Sequence, residues 1–233
     1  MIEPVSWMPQ AVRVLRERFG ARLLFVGLQG SYRRGEATEE SDIDILTVLD
    51  TLDLADLAAY RELLRTLPEG EKAAGFTCGQ RQLLSWPAFE LFQFSQDTDA
   101  WYGDLAPLLP VIRREDTVTG ALANVSGLYH QAAHTFLAGD PARRAAELKG
   151  LHKGLFFAMQ ITEYIRHGVY ARSRRELLSL LSETEADLLR QGMDAAPAEA
   201  RTRNDADMQF QALLQWCGDA MVELARAKQT ASR

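Results

Sequence analysis

The chain has 233 residues, 47% of them hydrophobic and 25% charged, with a formal net charge of -6; it is long enough for one large domain or two modest ones. The acidic balance excludes an all-over electrostatic grip on nucleic acid, though not a local basic patch, and no apolar run approaches the ~18 residues of a membrane span. Cys78 and Cys217 stand far apart in no metal-ligand spacing, and the N-terminal MIEPVSWMPQ lacks the basic and apolar regions of a signal peptide, so the expectation is a reduced, cytoplasmic protein away from membranes.

Along the chain, PQAVRVLRERFG predicts a short amphipathic helix closed by Gly20, and RLLFVGL a buried strand. The loop GLQGSYRRGEATEES follows. In DIDILTVL the period of two puts Asp42 and Asp44 on one strand face and Ile43 and Ile45 on the other. Leucines and Tyr60 at helical spacing predict a helix over 53–67, stopped by Pro68. GFTCG and FELFQF complete the half as two further short strands, so an α/β domain is expected over 1–105.

The second half, 106–233, reads as a helical bundle. Leu122, Val125, Tyr129, Ala132 and Phe136 mark one helix, and Leu148, Leu151, Leu155, Met159 and Thr162 another. Ser173-x-x-Glu176 and Ser182-x-x-Glu185 read as capping boxes opening two short helices. Phe210, Leu213, Cys217, Met221 and Leu224 mark the last helix, and 194–207 reads as a loop.

The chemistry concentrates in residues 30–44. Gly30 and Gly35 have the gap of a P-loop, but Glu36 and Ala37 stand where Lys and Ser/Thr are required, and no G-x-G-x-x-G is present. A Gly-Ser turn directly after a buried strand offers backbone N–H groups and a hydroxyl to phosphate oxygens. After ten intervening residues from Ser31, the paired carboxylates Asp42 and Asp44 suit Mg²⁺, which takes oxygen ligands and shares them with substrate phosphates. Two such ions ~3.5–4 Å apart serve an in-line displacement at phosphorus.

The run Gly30-Ser31, a spacer of ten, then Asp42-Ile43-Asp44-Ile45 closely resembles the signature of the DNA polymerase beta nucleotidyltransferase superfamily. GSYRRGEATEESDIDI is especially similar to the small bacterial members, among them aminoglycoside nucleotidyltransferases and the minimal nucleotidyltransferases of toxin–antitoxin pairs. The resemblance implies an α/β (α+β) nucleotidyltransferase domain with a mixed sheet, followed by an all-α domain. It also implies transfer of a nucleoside monophosphate from an NTP, ATP as first choice, to an acceptor hydroxyl, with pyrophosphate released. Gly30 and Ser31 would hold the triphosphate, and Asp42 and Asp44 two Mg²⁺ ions. A third carboxylate is implied on a neighbouring strand: Glu90 at the start of FELFQF is favoured over Asp97, which lies in the polar run SQDTD.

An aminoglycoside-like small molecule in a cleft between the two domains is the favoured acceptor, since a cationic drug suits an acidic protein. A protein or tRNA acceptor is the alternative, and a non-catalytic nucleotide-binding module of the same fold is the reading from another class. Lys149 and Lys153, four apart on one helix, are candidate partners of the triphosphate, and RSRREL (172–177) is a further basic cluster. The helical pair His130 and His134 has Gln131 where a zinc protease needs glutamate, and reads as a surface pair. Trp86 is a candidate for stacking on a base or sugar, or a half-buried core residue.

Overall fold

The computed structural model describes residues 1–138, 144–193 and 203–231. It divides into two compact units, Met1–Ile112 and Arg113–Arg233.

The first unit is a four-stranded mixed sheet in the order β3-β2-β1-β4 with helices on both faces. Helix α1 (Pro4–Phe19) has a proline in its first turn and ends at Gly20, whose φ of 56° favours glycine. Then come β1 (Leu23–Gln29), the short α2 (Gly30–Arg34), β2 (Ile43–Leu49) and α3 (Leu54–Arg65). They are followed by β3 (Ala73–Gly79), α4 (Gln80–Leu84), α5 (Ala88–Gln96) and β4 (Asp99–Tyr102). Strand β1 runs antiparallel to β2 and β4, and β2 runs parallel to β3. Asp53 caps α3 through a full capping box with Asp56.

Alternation along β2 sorts two cores. Ile43, Ile45 and Leu49 face a cluster with Leu15 of α1 and Leu64 of α3. Leu46 and Val48 face the other way, with Phe25, Cys78, Leu83 of α4 and Leu91 of α5. Asp44 lies on this second face, one alternation before Leu46.

The expectation of a strand at FELFQF is corrected: these residues form α5, and the fourth strand is Asp99–Tyr102. Leu91 and Phe92 are both buried, which neighbours on a strand facing one core are not. A short apolar run fits either period, and Pro87 ahead of the first helical residue resolves it toward helix.

The second unit is helical: α6 (Arg114–Ala138), α7 (Arg144–His167), α8 (Arg174–Leu178), α9 (Glu183–Gln191) and α10 (Arg203–Ala231). The buried stripe of α6 is Val118, Ala121, Val125, Leu128 and Ala132, so Val125 and Ala132 are buried as expected, while Ala121 and Leu128 take the places of Leu122 and Tyr129, and Tyr129 is exposed. Leu151, Leu155 and Met159 of α7 and Phe210, Leu213, Cys217 and Leu224 of α10 are buried. The capping box at Ser182 and Glu185 forms in both directions. At Ser173 only the hydroxyl acts, because the Glu176 carboxylate accepts from the Arg172 amide instead. Of the expected loop 194–207, residues 194–202 lie outside the described residues, and 203–207 belong to α10. No helix among the described residues is long and apolar enough to cross a membrane.

Three helices of this unit are tied by one guanidinium. Arg166 of α7 donates to Glu185 of α9 (2.8 Å), to Glu223 of α10 (2.7 Å) and to Glu163 one turn back. The Trp216 indole adds a bond to Glu185 (3.1 Å). Burial pushes the Glu185 carboxyl up, but the donors Arg166, Ser182 and Trp216 outweigh it and bring its pKa down to about 2. A depressed folded-state pKa stabilises above the unfolded value near 4.3 and is lost as pH falls toward the folded one. Thermal melts should therefore show this unit weakening between about pH 4.5 and 2, by on the order of 3 kcal/mol from this group. In Glu185→Gln that acid limb should flatten; an unchanged limb would remove the network from the account.

Candidate active site

The candidate site gathers at the junction of β1, α2 and β2. Gln29, the last residue of β1, pairs with Asp44 on β2, so the turn that leaves β1 emerges beside that carboxylate. The approach is close. A Cβ on Gly30 would lie 1.8 Å from Asp44 Oδ2, and Gly30 has φ +69°. Only glycine allows both the left-handed backbone and the contact. Gly35 closes α2, also in the left-handed region.

Most side chains around this turn are committed to the protein. Gln29 donates to Thr98 Oγ1 (2.8 Å), the Tyr32 hydroxyl accepts from the Ile2 amide (3.2 Å), and Arg34 pairs with Glu36 (3.0 Å). Arg33, its side chain 2% exposed, pairs with Asp97 (3.1 Å). Ser31 is the exception: its half-buried hydroxyl has no side-chain partner among the described residues. Asp42, exposed just ahead of β2, is likewise without a side-chain partner among them. The Gly30 turn and the Asp44 carboxylate are thus in contact, and Ser31 and Asp42 stand on the segment that joins β1 to β2.

The chemistry of these groups fits a divalent cation shared with phosphate oxygens, since carboxylate and hydroxyl oxygens are the ligands such an ion takes. Among the described residues, however, no three His, Cys, Asp or Glu side chains come close enough together to hold a metal ion. Glu90 lies on helix α5 rather than on the expected strand, exposed, and accepts a 2.7 Å hydrogen bond from the Trp86 indole. Trp86 in turn meets Phe76 edge-on at 5.1 Å, so α5 covers the sheet face that carries Asp44. Asp97 is buried and committed to Arg33. Nor does β3 supply an acid: its residue beside Asp44 is Ala74.

Lys149 and Lys153 belong to the second unit, exposed on α7. They line a pocket of about 450 Å³ with His152, Arg174 and Met193. Arg174 comes from the RSRREL cluster, and its guanidinium lies 4.7 Å over the Phe156 ring. Its joining the lysines follows from the turn between α7 and α8 and was not legible in either stretch alone. His130 and His134 stay exposed on α6, rings 6.3 Å apart.

Residues 8–75 match the family model of the nucleotidyltransferase domain. Over 49 residues the chain is 51% identical to protein adenylyltransferase MntA of Thermococcus cleftensis; the match covers 21% of this chain and 46% of that protein, about half its length. In fold, the chain is similar to spectinomycin adenyltransferase AAD(9) from Enterococcus faecialis, solved with ATP and spectinomycin. That likeness has a TM-score of 0.54 at 12% identity and covers 90% of this chain and 98% of the other.

Proposed function

We propose that this chain, whose N-terminal unit carries a nucleotidyltransferase domain of the DNA polymerase beta superfamily, transfers a nucleoside monophosphate from ATP or another NTP to an acceptor hydroxyl. The observation that carries the reading is the close approach of the Gly30 turn to the Asp44 carboxylate, with the next residue, Ser31, offering a hydroxyl that has no side-chain partner among the described residues. Ser31 and the Gly30 turn hold the triphosphate, and Asp42 and Asp44 hold magnesium. The chemistry a bound magnesium ion supplies there is neutralisation and polarisation of the phosphoryl group. The acceptor oxygen forms its bond to the α-phosphorus, the bridging P–O bond breaks, and pyrophosphate leaves with the electron pair. The acceptor's proton passes to Glu90 or to water; Glu90 can take it without belonging to a metal trio. Lys149 and Lys153, with Arg174, are the proposed cationic partners of the nucleotide.

A small-molecule acceptor is favoured by the likeness of nearly the whole chain to an adenyltransferase solved with spectinomycin. A protein acceptor is favoured by the 51% identity, confined to 49 residues, with a protein adenylyltransferase. Incubation with α-labelled NTPs and Mg²⁺, against aminoglycosides in one arm and cell extract in the other, separates these by the mass of the labelled product. Nucleotide binding with no label transferred in either arm would leave a binding module.

Two substitutions refine the assignment. Ser31→Ala should weaken Mg·ATP binding by roughly 1–2 kcal/mol, the worth of one hydrogen bond to a charged group, as read by calorimetry. Glu90→Gln should lower turnover by roughly 10²-fold or more if it is the base and leave ATP affinity unchanged. Unaltered turnover would hand the proton to water.

A further inference from the structure

The turn that bears Ser31 is held from outside. Arg33 sits two residues beyond Ser31 on α2, its side chain 2% exposed, and reaches the corner where α5 gives way to β4. There it pairs with Asp97 (3.1 Å) and Asp99 (3.4 Å) and donates to the Gln96 carbonyl (2.8 Å). On the other flank, Gln29 donates to Thr98 Oγ1 (2.8 Å), whose hydroxyl bonds the Phe94 carbonyl (2.7 Å). The residues before and after Gly30-Ser31 are thus fastened to one four-residue stretch, 96–99, that touches neither Ser31 nor Asp42 by any side-chain bond among the described residues. The planar fork of an arginine is suited to this task, because it meets several acceptors at fixed angles where an ammonium meets them one at a time.

We infer that Arg33 and Asp97 are positioning residues: their buried pair fixes the Gly30–Gly35 turn in the shape that receives the triphosphate. The inference rests on the nucleotide reading above and adds to it a brace 64 residues away in sequence. Removing one member of a buried pair strands the other, so the mild variants are the informative ones. Arg33→Lys keeps the charge and loses the fork; Asp97→Asn keeps the shape and loses the charge. Arg22→Lys is the control, since Arg22 pairs with Asp50 and Asp56 at the opposite end of β1.

Three readouts are compared: melting temperature, hydrogen exchange of the 31–35 amides, and Mg·ATP affinity by calorimetry. Arg33→Lys and Asp97→Asn should both speed exchange in 31–35 and weaken Mg·ATP about tenfold, whereas Arg22→Lys lowers the melting temperature with affinity intact. Wild-type affinity in both variants, or an affinity loss in Arg22→Lys equal to theirs, overturns the positioning role. A wild-type protein that binds no Mg·ATP defeats the nucleotide reading itself, and that outcome is seen before any variant is compared.

Discussion

Asp42→Asn and Asp44→Asn should each abolish nearly all nucleotidyl transfer while leaving the fold intact. Neither carboxylate is spent on the hydrophobic core: Asp42 is exposed ahead of β2, and Asp44 is half-buried at its start. Asparagine keeps the shape of each, so the tight contact with Gly30 is preserved in Asp44→Asn. What is lost is the negative charge that a divalent cation requires. The charge stabilisation such an ion provides is worth several kcal/mol, or roughly 10²–10³-fold in rate. Pyrophosphate release with a confirmed acceptor measures it, melting temperature controls for folding, and EDTA on the wild type should reproduce the loss. Wild-type turnover in both variants would mean the reaction does not run through this pair.

Gly30→Ala should be nearly as damaging, for a different reason. The added Cβ would lie 1.8 Å from Asp44 Oδ2, so the carboxylate or the whole turn must move. The left-handed backbone adds a cost of roughly 1–2 kcal/mol. Gly35→Ala is the matched comparison, since Gly35 has the same φ of +69° but nothing within 4 Å of the added atom. Both variants should lose about the same stability from backbone strain. Only Gly30→Ala should lose Mg·ATP binding, by at least tenfold in calorimetry, because only there does the added methyl displace Asp44. Equal binding losses would assign the effect to strain alone and detach the glycine from the site.

The parts of the site legible in the sequence are those set by local rules. Asp44 falls on the same face of β2 as Leu46 and Val48, as the period of two requires, whereas the strand begins at Ile43 and leaves Asp42 one residue ahead of it. Gly30 and Ser31 follow a strand whose ending the glycine itself announces, and the match of residues 8–75 to a nucleotidyltransferase domain agrees with that reading. What lay beyond reach depends on partners distant in sequence. FELFQF is too short for its period to be decisive, and it turned helical because Leu91 and Phe92 both had a core to enter. The fourth strand has only the residues Asp99–Tyr102, and a run as polar as SQDTD carries no strand signal of its own. Asp97 reads locally as an ordinary turn residue, and its commitment to Arg33 appears only once β4 lies beside β1. The Ser173 cap was half legible: the hydroxyl serves α8 as its spacing suggests, but Glu176 found a nearer amide.

The pairing of β2 with β3 also sets where new chemistry can be written into this sheet. Asp44 lies opposite Ala74 in a parallel register, so a side chain grown at 74 rises on the same face as the carboxylate. Its neighbours on β3 offer no such opening. Gly75 has φ +119° and would drive a Cβ to 2.3 Å from the Ile45 carbonyl oxygen, and Phe76 is engaged edge-on by Trp86 and Phe94. Ala74 is exposed, so an acid there is spared desolvation. For a designer wishing to give Asp42 and Asp44 a third oxygen ligand, the register leaves β3 one address, and it is occupied by a methyl group.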